Sequence, residues 1–161
     1  MTDSADDHNK CCLAENDCLS TQRTRRSIQL SNNIAEVERL YAFLLSVCAE
    51  LNIDGATVKT VSLALEEAVV NVINYAYPKG VKGSIEVIAY SENSQLILNV
   101  IDNGVAFDPT KVADADIHSS LEERIEGGLG IYLMRNLMDD VRYERTACGQ
   151  NILTLIKRIN I

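Results

Sequence analysis

The sequence predicts an α+β fold, a two-layer α/β sandwich with helices on one face of a mixed, mostly antiparallel sheet. Three observations carry that expectation. Apolar residues recur at helical spacing in two consecutive stretches, 34–51 and 57–76. Two pairs of strand-like segments, 84–90 with 95–102 and 141–146 with 151–159, are each joined by a short turn, as hairpins are. Strands and helices do not alternate one by one, so a doubly wound parallel sheet is disfavoured.

Residues 1–24 are polar and without pattern, and read as a disordered tail ahead of one domain spanning 25–161. RSIQL at 26–30 suits a short strand. Asn33 followed by Glu36 is a helix-capping arrangement, and Ile34, Val37, Leu40, Tyr41, Leu44, Leu45 and Leu51 then recur at helical spacing. Asn52 to Gly55 breaks the pattern, and Asp54 is placed to cap a second helix that ends before Pro78 and Gly80. SENS at 91–94 is expected to form a four-residue hairpin turn. Residues 103–127 lack a sustained period and read as a long loop, a feature more often functional than not in a compact domain. A helix over 129–138 and the closing hairpin complete the chain.

Composition narrows the function. Of 161 residues, 47% are apolar and 24% charged, the balance of an ordinary globular protein. A net charge of -8 argues against a nucleic-acid surface, which neutralises phosphates with Lys and Arg. An acidic chain can still hold a nucleotide through a metal ion and backbone N–H groups. No apolar run approaches the ~20 residues that span a bilayer, and MTDSADDHNK is the opposite of a signal peptide. Five cysteines without CxxC spacing fit reduced thiols in a cytoplasm. His8, Cys11, Cys12 and Cys18 match no regular zinc spacing.

Three motifs carry chemistry. In LALEEAVVNVINYAYPKG (63–80), Glu67, Asn71 and Asn74 are four and three residues apart, on one face of a helix otherwise rich in Val, Ala, Leu and Ile. Polar groups there either edge the helix towards water or line a polar cavity for a metal and an anion. In IDNGVAFDP (101–109), Asp102 ends the inward row Leu96, Leu98, Val100, and a carboxylate so placed can accept from an exocyclic amine. Asn103-Gly104 lets the backbone approach a ligand, although the same pattern is a common exit from a strand. In GGLGIYLMRN (127–136), glycines open directly into a helix, leaving N–H groups that favour anions. This is neither a P-loop nor a GxGxxG fingerprint in its usual strand context.

In this order and at these element boundaries, the motifs resemble those of the GHKL (Bergerat-fold) ATPases, and within them the anti-sigma-factor serine kinases of the RsbW type. The resemblance covers about residues 25–159: EAVVN at 67–71 is similar to the N box, DNGVAFDP at 102–109 to the first glycine box, and GGLGIYLMRNLMDDV at 127–141 to the second. YERTACGQNILTLIK resembles the family's closing hairpin. The resemblance implies ATP and Mg²⁺ as cofactors, with Glu67 as general base and Asn71 holding Mg²⁺ against the phosphates. It implies Asp102 reading the adenine amine beside Gly104, and Gly128, Leu129 and Gly130 in the phosphate-binding lid. Asn74 stands near a phosphate-binding lysine of many histidine-kinase domains, and Asn151 where several relatives carry threonine near adenine.

The same resemblance implies a serine/threonine-protein kinase and anti-sigma factor, with an anti-sigma-factor antagonist as phosphoacceptor and a sigma factor as second partner. It also implies a homodimer, with the exposed first strand as the expected contact. Neither a nucleic acid nor a membrane is an expected partner. Arg124 or Arg135 could reach the phosphates or lie at the surface, and Glu66 faces away from Glu67 on the helix. His8 and His118 lie outside any helix of the kind that carries a phosphoacceptor histidine. Two other readings are a non-catalytic ATP-binding regulatory module and a slow ATPase switch. Glu67 counts against the first, which needs no base, and the short chain against the second.

Overall fold

Alternation with period two in LILNV and IEVIA resolves into one sheet with one covered apolar face. The computed structural model describes residues 25–112 and 128–160. Its strands are β1 (Arg26–Ser31), β2 (Ser84–Glu92), β3 (Gln95–Asp102), β4 (Asp140–Arg145) and β5 (Asn151–Arg158). They lie in the order β1-β2-β3-β5-β4, and all four pairings are antiparallel, so the expected mixed sheet is antiparallel throughout the described residues. The expected tail, 1–24, lies outside those residues.

Helices α1 (Val37–Glu50), α2 (Gly55–Asn71) and α3 (Gly128–Leu137) form the second layer. Asn33 caps a 3₁₀ turn, Ile34–Glu36, that leads into α1 by accepting from the Ala35 N–H at 3.0 Å. Asp54 Oδ1 caps α2 from two N–H groups, Ala56 and Thr57, each at 3.0 Å. These hydrogen bonds, that from the Thr57 hydroxyl first among them, hold the Asp54 carboxyl below its ordinary range.

The inner sheet face and the helices share one core. Ile85, Val87 and Ala89 of β2, Leu96, Leu98 and Val100 of β3, and Leu153 and Leu155 of β5 pack with Leu44, Val47, Val61, Leu65, Val69 and Met134. β3 is the middle strand of the order, so its inward row runs along the centre of this core and ends at Asp102. Among the described residues no helix is long and apolar enough to cross a membrane.

The β2–β3 turn is tighter than expected. Glu92 pairs with Gln95, leaving two turn residues, Asn93 and Ser94, at φ 51° and 57°. Both are left-handed, the conformation whose twist matches the flanking strands. Ser91 and Glu92 continue the ladder because Asn tolerates that region, and only Ser94 bears the steric cost. Ser94→Gly is therefore expected to stabilise the chain by about 0.5–1 kcal/mol. Urea unfolding should show a higher midpoint at constant slope; a lower midpoint would rule out this turn geometry.

Candidate functional site

The site grows from the last turns of α2. Val61, Ala64, Leu65, Ala68 and Val69 take the buried stripe, which leaves Glu67 and Asn71 half-buried and one above the other on the flank. Beyond Asn71 the helix widens into a π turn, Val72–Ala76, a local rewinding often found at functional sites. The wider turn advances each residue by a smaller angle, so positions after 71 fall behind the α-helical phase. Asn74 is consequently exposed and absent from the cleft wall, where Tyr75 and Ala76 stand instead. Glu67 and Asn71 thus stack one turn apart on α2, but only Asn71 lines the cleft; Glu67, like Asn74, is not among the lining residues.

The facing wall begins where β3 ends. Asp102 is 4% exposed, and its Oδ1 accepts from the Gly104 N–H at 2.7 Å and from Asn151 Nδ2 at 2.8 Å. Among the described residues both bonds fall on that one oxygen, so Oδ2 remains to accept from whatever enters the cleft. The chain then turns against α2: the Val105 N–H donates to the Ala76 carbonyl at 2.7 Å. A Cβ on Gly104 would sit 2.6 Å from the Ala76 Cβ, so glycine is required there by close approach.

α3 supplies the third wall through Met134, while Gly128, Leu129 and Gly130 at its start are not among the lining residues. Gly128 and Gly130 are buried and Leu129 is exposed. Any Cβ on Gly130 would land on the Glu67 carboxylate, so this glycine makes room for the acid. Burial there, and the neighbouring Glu66 charge after it, raise the Glu67 carboxyl above its ordinary value. Arg135 does not point from α3 to open solvent alone; its Nη1 donates to the Val112 carbonyl at 2.8 Å. Gly127, Arg124, His118, His8, Cys11, Cys12 and Cys18 lie outside the described residues.

Between these walls is a cleft open to solvent, with about 470 Å³ of free space when the solvent at its mouth is included. Val72, Tyr75, Val105, Phe107, Met134 and Leu153 make it apolar, and Asn71, Asp102 and Asn151 supply polar groups. An apolar slot with a few directed polar groups is the usual form of a small-molecule site. Asn151 lines the slot, but its amide is engaged by protein: Nδ2 by Asp102 and the Val105 carbonyl (3.1 Å), Oδ1 by Tyr143 and Arg145. Reading the sequence missed Tyr75, Phe107, Met134, Tyr143 and Arg145. Phe107 lay inside a quoted motif, and the Val141–Tyr143 alternation in VRYERT was the available signal for Tyr143.

Among the described residues no three His, Cys, Asp or Glu side chains gather to hold a metal. The Asn71 amide, which takes part in no hydrogen bond among those residues, is a hard oxygen donor at the cleft. It suits a Mg²⁺ ion whose other ligands are phosphates and waters.

This combination defines an α/β sandwich with a small-molecule cleft where helix and sheet meet. The family model described as "Histidine kinase-like ATPase domain" matches residues 30–157, and the chain belongs to that GHKL-type family, in its RsbW-like branch. It is 33% identical over 96 residues to the serine/threonine-protein kinase BtrW of Bordetella bronchiseptica, covering 60% of this chain and 67% of that protein. It is 36% identical over 89 residues to the serine-protein kinase RsbW of Bacillus cereus, covering 53% of this chain and 55% of that one. The match thus spans about half the length of that RsbW relative. Among solved structures, the RsbU and RsbW domains of Rv1364c from Mycobacterium tuberculosis superpose with a TM-score of 0.61 at 22% identity. That likeness covers 84% of this chain and 32% of the other, and it supports the fold.

The raised Glu67 pKa has a consequence for stability. The folded chain binds this proton more tightly than the unfolded one, so the stability it confers is complete below the unfolded value. It is lost as pH rises from the unfolded value through the folded one. Glu67→Gln removes the buried charge, so its Tm advantage over wild type should widen as pH rises from about 4 to about 8. Thermal unfolding at several pH values checks this, and an advantage that shrinks over the range would contradict a desolvated carboxylate.

Proposed function

We propose that the chain is an ATP-dependent serine/threonine-protein kinase that acts as an anti-sigma factor. Its substrate would be a small anti-sigma-factor antagonist, and it would hold a sigma factor inactive. The observation that carries the kinase reading is the Glu67 carboxylate. It is half-buried one helical turn from Asn71, and Gly130 of α3 is kept free of a side chain to admit it.

In this reading adenine lies in the apolar slot with its exocyclic amine towards Asp102, and the phosphates run towards Asn71 and the start of α3. Asn71 would hold Mg²⁺, which when bound neutralises charge on the phosphates. Glu67 takes the proton of the acceptor serine as its hydroxyl oxygen bonds to the γ-phosphorus. The bond from that phosphorus to the β,γ-bridging oxygen breaks, and ADP leaves with the electron pair. Such transfer is mostly positioning and charge stabilisation, which is what these residues can supply. A desolvated carboxylate with a raised pKa is the stronger base for this proton. The relatives' names, serine-protein kinases, support the same activity. The edge position of β1 supports a homodimer through that strand.

The test is phosphoryl transfer from ATP to serine of the antagonist from the same host, read by mass spectrometry. Glu67→Ala should lower transfer by about 10²–10⁴-fold while calorimetric ATP binding survives. Transfer at the wild-type rate would remove Glu67 from the role. Separately, Asn71→Ala should reduce ATP affinity in Mg²⁺ to the level that wild type shows in excess chelator. An undiminished Mg²⁺ effect in that variant would place the ion elsewhere.

A further inference from the structure

Asp102, Asn151 and Arg145 stand directly opposite one another on three neighbouring strands: Asp102 pairs with Asn151 across β3–β5, and Asn151 with Arg145 across β5–β4. They form one row on the helix-facing side of the sheet. Tyr143, two residues before Arg145, joins the row diagonally and lines the cleft.

The row is chained by hydrogen bonds with a fixed sense. Arg145 Nη1 donates to Asn151 Oδ1 at 2.6 Å, and the Tyr143 hydroxyl donates to the same oxygen at 2.7 Å. Asn151 Nδ2 donates in turn to Asp102 Oδ1 at 2.8 Å. A side-chain amide is nearly symmetric in shape, so only its partners decide which end faces which way. A guanidinium has donors and no acceptor, so it admits the amide oxygen and rejects the NH₂ group. Arg145 also donates to the Gly104 carbonyl at 3.2 Å, tying the turn after Asp102 to the same cation.

We propose that Tyr143 and Arg145 are positioning residues for nucleobase selection: by holding the Asn151 oxygen they keep its NH₂ group on Asp102 Oδ1, which leaves Oδ2 to meet the base. The proposal rests on the reading that the cleft takes ATP. With Asn151 and the Gly104 N–H both on Oδ1, Oδ2 is left as a bare acceptor, complementary to the 6-amino group of adenine. Guanine presents a carbonyl oxygen at that position, and two acceptors facing each other in a desolvated slot repel. Without Tyr143 and Arg145 the Asn151 oxygen loses both its donors, and its NH₂ group, shared between Asp102 and the Val105 carbonyl at 3.1 Å, is no longer held on Asp102. The carboxylate then loses a donor, and the slot no longer presents one fixed pattern to the base.

The experiment compares ATP and GTP binding by calorimetry for wild type, Tyr143→Phe, Arg145→Met, the double variant and Arg145→Lys. Wild type should prefer ATP by at least about a hundredfold, since a site built around one hydrogen bond strongly rejects a base lacking it. The double variant should lose about tenfold in ATP affinity with little change for GTP, so the preference narrows; Arg145→Lys, still a pure donor, should keep it. Equal losses for both nucleotides would mean a merely structural role and overturn the proposal, as would an unchanged ratio. The Asn151 side-chain NH₂ signals, assigned by their loss in Asn151→Asp, give a readout without nucleotide. Their hydrogen exchange should be slow in wild type and fast in the double variant, and slow exchange in both would also overturn the proposal. If wild type binds neither nucleotide, the ATP reading falls, and this inference falls with it.

Discussion

The cleft depends on one junction, where the chain leaving β3 is held against the end of α2. A helix ends with carbonyls that its own turns cannot satisfy. Here the Val105 N–H comes from another element to meet the Ala76 carbonyl at 2.7 Å, and Gly104 has no side chain to hold the two backbones apart. The π turn before Ala76 brings Tyr75 and Ala76 round to the cleft side. With that contact made, Asn71 on α2 and Asp102 on β3 become facing walls of one cavity. Every other feature of the site is arranged about it.

Glycine at 130 solves a second problem by the same means. A carboxylate near the seam between two helices needs either a partner or space, and Glu67 is given space. Its raised pKa records the cost, because the chain holds a partly desolvated charge that an uncharged side chain would not carry. A local rule of stability is broken at the position where a base would be wanted. Such conflicts mark functional sites more often than structural ones.

Much of this was legible in the sequence, for reasons that are local. Period two in β3 put Asp102 at the end of an inward row, and four-residue spacing stacked Asn71 on Glu67; both rules need only the residues themselves. Asn74 was misplaced because the same rule assumes an unbroken α-helix, and the amino-acid pattern of VINYA does not announce a π turn. The two-residue turn at Asn93-Ser94 was obscured because Ser91 and Glu92 look like turn residues yet continue the ladder. Arg145 could not be found at all by local reading. Its role depends on register across three strands, which is fixed only when the whole sheet is assembled.

The two parts of the proposed site rest on different scaffolds. Asp102, Asn151, Tyr143 and Arg145 belong to, or lean on, adjacent strands whose ladders hold them to one level. Glu67, Asn71 and Gly130 sit on two helices that meet through a glycine contact, without hydrogen bonds of a ladder between them. In the proposed reading the base is met by the strand-borne half of the site, whose side chains are locked by hydrogen bonds to one another. The same reading gives the phosphates to the helix-borne half. The Ala76–Gly104 junction is the place where those halves touch, and it consists of backbone and the smallest side chains. A contact of that kind transmits position without offering alternative rotamers, so the strand end that carries Asp102 is held in a fixed relation to the helix that carries Glu67 and Asn71.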